Sequence, residues 1–244
     1  MIFFIKMKVT AIFNFVRKNP HMVLAASLFT VGVLSLSTKV TMISGALFGA
    51  GASLLGAWVT ELNNRRSNAE DKVRREVDAR RYLAPELNRT IERVLYIHQR
   101  AIPNFAIASA GKETKTNDLQ EDFIPYMPVL YPNAPQFRDL PGEDATALIT
   151  FYDSLHALHK FVSDWWGREG QLPVNIFNMI LTLADKSMAL AKVCIQRFEL
   201  EQIYPPQYEL WGTLSSRIER SMEGAKQAQD CHIARFETKN QKPN

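Results

Sequence analysis

The 244-residue chain holds only two cysteines, Cys194 and Cys231, and no CxxC pair. That excludes a disulfide framework and a cysteine zinc site, and it suits a reducing compartment. The first 60 residues contain no Asp or Glu at all, while they carry Lys6, Lys8, Arg17, Lys18 and Lys39. The remainder has 24 basic against 25 acidic side chains, so the net charge of +4 and the pI near 9.0 belong to the N-terminal end. Nucleic-acid binding needs clustered Lys and Arg facing phosphates. Here the basic excess flanks apolar segments, so membrane topology explains it and no nucleic-acid partner is expected. There is also no G-x-S-x-G elbow, no phosphate-binding Gly-rich loop with its Lys, and no paired E-x-x-H. Neither cysteine has a base close in sequence. No cofactor is therefore expected, and an enzyme is less expected than a binding protein.

Two uncharged apolar runs are present, 22–37 (MVLAASLFTVGVLSLS) and 40–59 (VTMISGALFGAGASLLGAWV). A spanning helix needs about 20 residues; the second run reaches that and the first is marginal. With Ser37, Thr38 and Lys39 between them, residues 21–60 read as a transmembrane helical hairpin. The alternative is one span preceded by an interfacial segment. Basic residues at 6–18 and 65–75, against the single Lys39, predict both flanks in the cytoplasm. Trp58 suits a headgroup position. Residues 1–20 form a basic amphipathic segment fit for a membrane surface. No A-x-A site points to a cleaved signal peptide.

Within the second run Gly45, Gly49, Ser53 and Ala57 recur every four residues. Small residues at that spacing let helix backbones approach in lipid. The face can pack on the chain's own first span, on a second copy or on a partner membrane protein.

Residues 61–230 read as a cytoplasmic, all-α antiparallel bundle with a long proline-rich connection, and 231–244 as a flexible polar tail. The first helix continues from the membrane and should break or kink at Pro85. A second, to about residue 102, has Leu87, Ile91, Val94, Leu95, His98 and Ile102 on its inner stripe. Residues 103–142, with six prolines, exclude regular helix. A connection of that length is functional or disordered as a rule. Tyr126, Tyr131, Asn133 and Phe137 mark it as an interaction segment that packs onto something. Further helices are predicted from Glu143 to Gly167, with Trp166 in the stripe, and from Pro173, with Ile176, Met179, Ile180, Leu183, Ser187, Leu190, Ala191, Cys194 and Phe198. A last helix presents Trp211, Leu214, Ile218, Met222 and Ala225.

Asp153, His156 and His159 form D-x-x-H-x-x-H on one helix, a spacing that can gather metal ligands. The bland alternative is a pair of packed, hydrogen-bonded histidines. Trp165, Trp166 and Trp211 offer an aromatic pocket or, more ordinarily, core.

The stretch PVLYPNAPQFRDLPGEDATALITFYDSL resembles a pattern in uncharacterised bacterial membrane-anchored helical proteins. In those, a proline-rich "VY-x-x-N" segment leads to a leucine and a helix bearing "FY". The matching residues are Val129, Leu130, Tyr131, Asn133, Leu140, Phe151 and Tyr152, with Val129 offset by one. The resemblance implies a bacterial membrane protein and transfers no activity; together with the charge pattern it sets the expectation of a bacterial inner-membrane location. The combined expectation is a membrane-anchored interaction protein whose partners are membrane lipid, its own copies or another membrane protein. A pore-forming or membrane-remodelling hairpin is the alternative, and a metal-binding bundle the third reading.

Overall fold

A computed structural model describes residues 20–36, 41–114, 128–168 and 171–240. Among them the chain is all-helical: α1 Pro20–Leu36, α2 Thr41–Ser109, α3 Gly142–Gly167, α4 Val174–Arg197, the single turn α5 Leu200–Ile203, and α6 Leu214–Asn240. Two 3-10 turns, Pro135–Asp139 and Glu209–Trp211, complete the order. The chain divides into two units, residues 1–74 and 75–244.

In the first unit, α1 touches the start of α2 through small residues that admit aromatic rings. A side chain on Gly51 would meet the Phe29 ring at 3.0 Å, and one on Gly32 the Phe48 ring at 3.3 Å. The two rings lie 5.8 Å apart. By length and composition α2 can cross a membrane; α1 is apolar but shorter, at 17 residues. Beyond the apolar run, the helix surface carries exposed pairs Arg65–Glu61 (2.7 Å) and Arg66–Glu70 (2.9 Å). Such pairs add only about 0.3–0.5 kcal/mol each.

α2 runs through Pro85 and Pro103 without ending, which corrects both the alternative of a break at Pro85 and the exclusion of regular helix over 103–109. Proline removes the bond to the carbonyl four residues earlier. Pro85 and Pro103 both lie on the exposed side of α2, as do Arg81 and Gln99, whose carbonyls lose their partners. Water can hydrate those carbonyls, so the helix survives. Its opposite side is buried: Leu83, Leu87, Ile91, Leu95, His98 and Phe105 are essentially inaccessible.

The second unit is a helical bundle with one continuous core that includes Phe151, Tyr152, Trp165, Phe177, Ile180, Met188 and Phe198. Burying each large side chain contributes about 1.5–3 kcal/mol. The buried tryptophan is Trp165; Trp166 is only partly covered, one position away from the expected stripe. On α4 the buried face is Phe177, Ile180, Leu181, Ala184, Ser187, Met188, Ala191, Cys194 and Ile195, while Met179 is exposed. The expected stripe is thus turned by about one residue in the first half of the helix.

Helix directions follow from the contacts. Ser154 donates to Ser187 Oγ (2.8 Å), Cys194 to the Ala147 carbonyl (3.5 Å), and Arg197 to Asp144 (3.2 Å), so α3 ascends as α4 descends. Lys192–Glu219 (2.5 Å) and Gln229–Asn178 (2.7 Å) set α6 against α4 in the same way. Between α2 and α6, Glu92 meets Arg217, His98 meets Ser221 and Ser109 meets His232. Those two helices therefore run in the same direction. The expected all-antiparallel order is corrected: α4 opposes α3 and α6, whereas α2 and α6 are parallel. Asp144, at the start of α3, takes hydrogen bonds from Arg80 and from Arg197 at the end of α4. The start of α3 thus lies beside residue 80 of α2, far along that helix from its end at Ser109. At about 1.5 Å per residue the return from 109 to 80 is about 43 Å, a distance that needs a long connection.

Helix α6 continues to Asn240, so residues 231–240 are helical where a flexible tail was expected. Trp211, expected within this helix, instead closes the 3-10 turn before it and is half exposed. Gly212 follows at φ +74°, where a side chain would strike Ser216 Oγ at 2.5 Å.

Candidate functional site

Asp153 and His156 are exposed on α3 and His159 is partly covered. Among the described residues, no three His, Cys, Asp or Glu side chains stand close enough together to hold a metal ion. Spacings of three place these residues on one helix surface, but no neighbouring helix supplies further ligands. The expected metal set is not assembled.

The face Gly45, Gly49, Ser53 and Ala57 is exposed along its length. A side chain added to Gly45 or Gly49 would meet nothing within 4 Å. α1 lies instead on the side of Ser44, Phe48 and Gly51. Among the described residues, packing within the chain therefore does not use the four-residue repeat.

In the proline-rich segment, Tyr126 lies outside the described residues. Tyr131 packs against Phe137 (ring centroids 5.4 Å) and against Tyr152 of α3 (5.1 Å), while Asn133 is exposed. The segment is also held by its backbone. The buried Glu86 carboxylate accepts the N–H of Val129 (2.9 Å) and of Leu130 (2.9 and 3.2 Å). Glu86 lies between apolar neighbours on α2, and sequence offers no sign that a carboxylate there reaches residues 43 and 44 positions later.

A surface run, of which only Trp211 was named from the sequence, stands between α4 and α6. Ile203, Tyr204, Tyr208, Leu210 and Trp211 are all exposed, Leu210 at 93% and Trp211 at 53%. Tyr208 and Trp211 stack edge-on at 4.9 Å. Arg220 donates to the Trp211 carbonyl, and Arg217 makes two bonds to Glu92, at 2.7 and 2.8 Å. Glu201 anchors the run's start: burial raises its carboxyl, but the Ser215 N–H at 2.8 Å, with Ser215 and Thr213 hydroxyls, brings it below the ordinary value. The signal in the sequence was the apolar content of IYPPQYELW between two helices.

Beneath this run lies a buried polar chain joining three helices. His98 of α2, inaccessible to solvent, has Nδ1 2.7 Å from Ser221 Oγ of α6. Its Nε2 stands 3.0 Å from Asp185 Oδ1 of α4, within ion-pair reach but out of line for a hydrogen bond. A cavity of about 450 Å³ opens over Ser221, with Gln99, Ile102, Leu210, Trp211 and Arg220 among its walls. Elsewhere, burial pushes the Cys194 thiol up to about 12, with Arg197 lowering it and Asp144 raising it by smaller amounts. It is an inert packed thiol.

No family model, curated protein or solved structure matches this chain.

Proposed function

We propose that the protein is a bacterial inner-membrane interaction protein, anchored by the segments at 21–60 as a helical hairpin. Its helical bundle faces the cytoplasm and binds a partner protein or its own copies there. The observation that carries this reading is the exposed run Ile203, Tyr204, Tyr208, Leu210 and Trp211. Contiguous apolar surface is costly in water and marks interaction sites, and Tyr and Trp are the residues interfaces favour. The basic flanks and the acid-free first 60 residues support the orientation. Native mass spectrometry of the full-length protein, extracted gently from its membrane, tests the role. A second protein or several copies should be present, and Leu210→Ser with Trp211→Ser should release them while helicity is unchanged. A bare monomer in both forms refutes the reading.

A second reading, oligomerisation of the anchors to remodel or perforate the membrane, is favoured by the open Gly45–Ala57 face. Gly45→Leu with Gly49→Leu should then abolish any permeability caused by overexpression, and should leave assembly through the bundle intact.

A further inference from the structure

We propose that Ser221, His98 and Asp185 form a nucleophilic site for acyl transfer, opening into the cavity below Trp211. Hydroxyl activation needs a base within hydrogen-bond reach and a third group that orients the base. Ser221 Oγ at 2.7 Å from His98 Nδ1 meets the first requirement; Asp185 Oδ1, 3.0 Å from Nε2 but out of line for a hydrogen bond, is within reach of the second once it realigns. Asp185 favours the tautomer with hydrogen on Nε2, which leaves Nδ1 free to accept the Ser221 proton. The poor alignment of Asp185 is of the kind that tightens when substrate binds. The three residues come from three helices, 123 positions separating His98 from Ser221, so no sequence motif announces them.

The cavity suggests the substrate class. Ile102, Leu210 and Trp211 give it an apolar wall and Gln99 and Arg220 supply donors, which suits an ester of a short or medium acyl chain. Ser221 lies inside α6, where its own N–H is used by the helix, so the oxyanion must be met by side chains; Gln99 and Arg220 line the same cavity, and Arg220 reaches the oxyanion by giving up its bonds to the Ser216 and Trp211 carbonyls. The Ser221 oxygen adds to the ester carbonyl as its proton passes to His98 Nδ1. The adduct collapses, the alcohol leaves with that proton, and the acyl group stays on Ser221. Water then adds, giving its proton to His98, and the carboxylic acid departs with the proton returned to Ser221. Ester and water become acid and alcohol, with no oxidant or metal consumed.

The test uses full-length protein in detergent with a fluorophosphonate probe and with p-nitrophenyl butyrate. The expected result is a covalent adduct on the tryptic peptide Ser221–Lys226, together with ester turnover that falls on the order of 10²-fold or more in Ser221→Ala and in His98→Gln. Asp185→Asn should retain the adduct, form it more slowly and alter its pH profile, as a positioning residue does. No adduct on Ser221 in the wild-type protein with its helicity intact, and equal turnover by wild type and Ser221→Ala, would overturn the proposal. The labelling result needs no variant, so it stands even if a substitution unfolds the bundle.

Discussion

Glu86 of α2 holds the backbone of Val129 and Leu130 on a carboxylate that is almost wholly buried. A buried charge is costly unless it is fully bonded. These N–H groups satisfy it, and in return the carboxylate pins the end of the long connection beside α2. Tyr131, next in the chain, then reaches Tyr152 of α3.

Removing that carboxylate should therefore free the segment before it unfolds the bundle. Glu86→Ala is expected to cost about 1.5–3 kcal/mol for a charge-assisted bond. Hydrogen exchange read by mass spectrometry should show the Val129 and Leu130 amides losing protection while amides of α4 keep theirs. Equal loss in both places would mean that Glu86 supports the whole core instead.

Pro85 can be tested by restoring what it lacks. Pro85→Ala returns an N–H to an exposed position of α2 and should raise the denaturation midpoint. The gain should be about 1–2 kcal/mol, since part of proline's helix penalty of about 3 kcal/mol is offset by its stiffening of the unfolded chain. A lowered midpoint would show that the ring itself packs usefully.

The two thiols should behave oppositely. At pH 8, iodoacetamide should modify the exposed Cys231 and leave the buried Cys194 untouched until denaturant is added. The Cys194 thiol is raised from an ordinary 9.0 to about 12. The folded state thus holds the proton more tightly than the unfolded one. Its stabilising effect is complete below about pH 9 and is lost as pH rises toward 12. Cys194→Ala should flatten that alkaline decline in a pH series of thermal melts.

Glycine substitutions separate the two sides of the apolar part of α2. Gly51→Leu must displace the Phe29 ring, whereas Gly45→Leu enters open space. A fluorinated phenylalanine placed at position 29 should shift its ¹⁹F resonance in Gly51→Leu and keep it in Gly45→Leu. Matching shifts in both would contradict the packing of α1 on the Gly51 side.

The helical class was readable because apolar positions recur at three and four residues over long stretches, and this period survives in any tertiary setting. Gly167 and Pro173 also mark the end of α3 and the start of α4 for local steric reasons. The acid-free, basic N-terminal segment is likewise a fact of the chain alone. The neighbours of each face were decided only by the fold. Periodicity shows that a helix has an apolar side but not what covers it, so the Gly45 repeat and the Trp165–Trp166 choice were open until partners were placed. The same limit applies to Pro85, whose effect depends on whether the orphaned carbonyl meets water or core. Helix direction, the Glu86 clasp and the His98–Ser221 pair join residues 27 to 125 positions apart, and local chemistry carries no trace of such distances. Sequence determined that the chain is helical and which end is apolar and basic. Tertiary packing decided which polar groups met, because only there does burial make an unpaired carboxylate or imidazole too costly to leave alone.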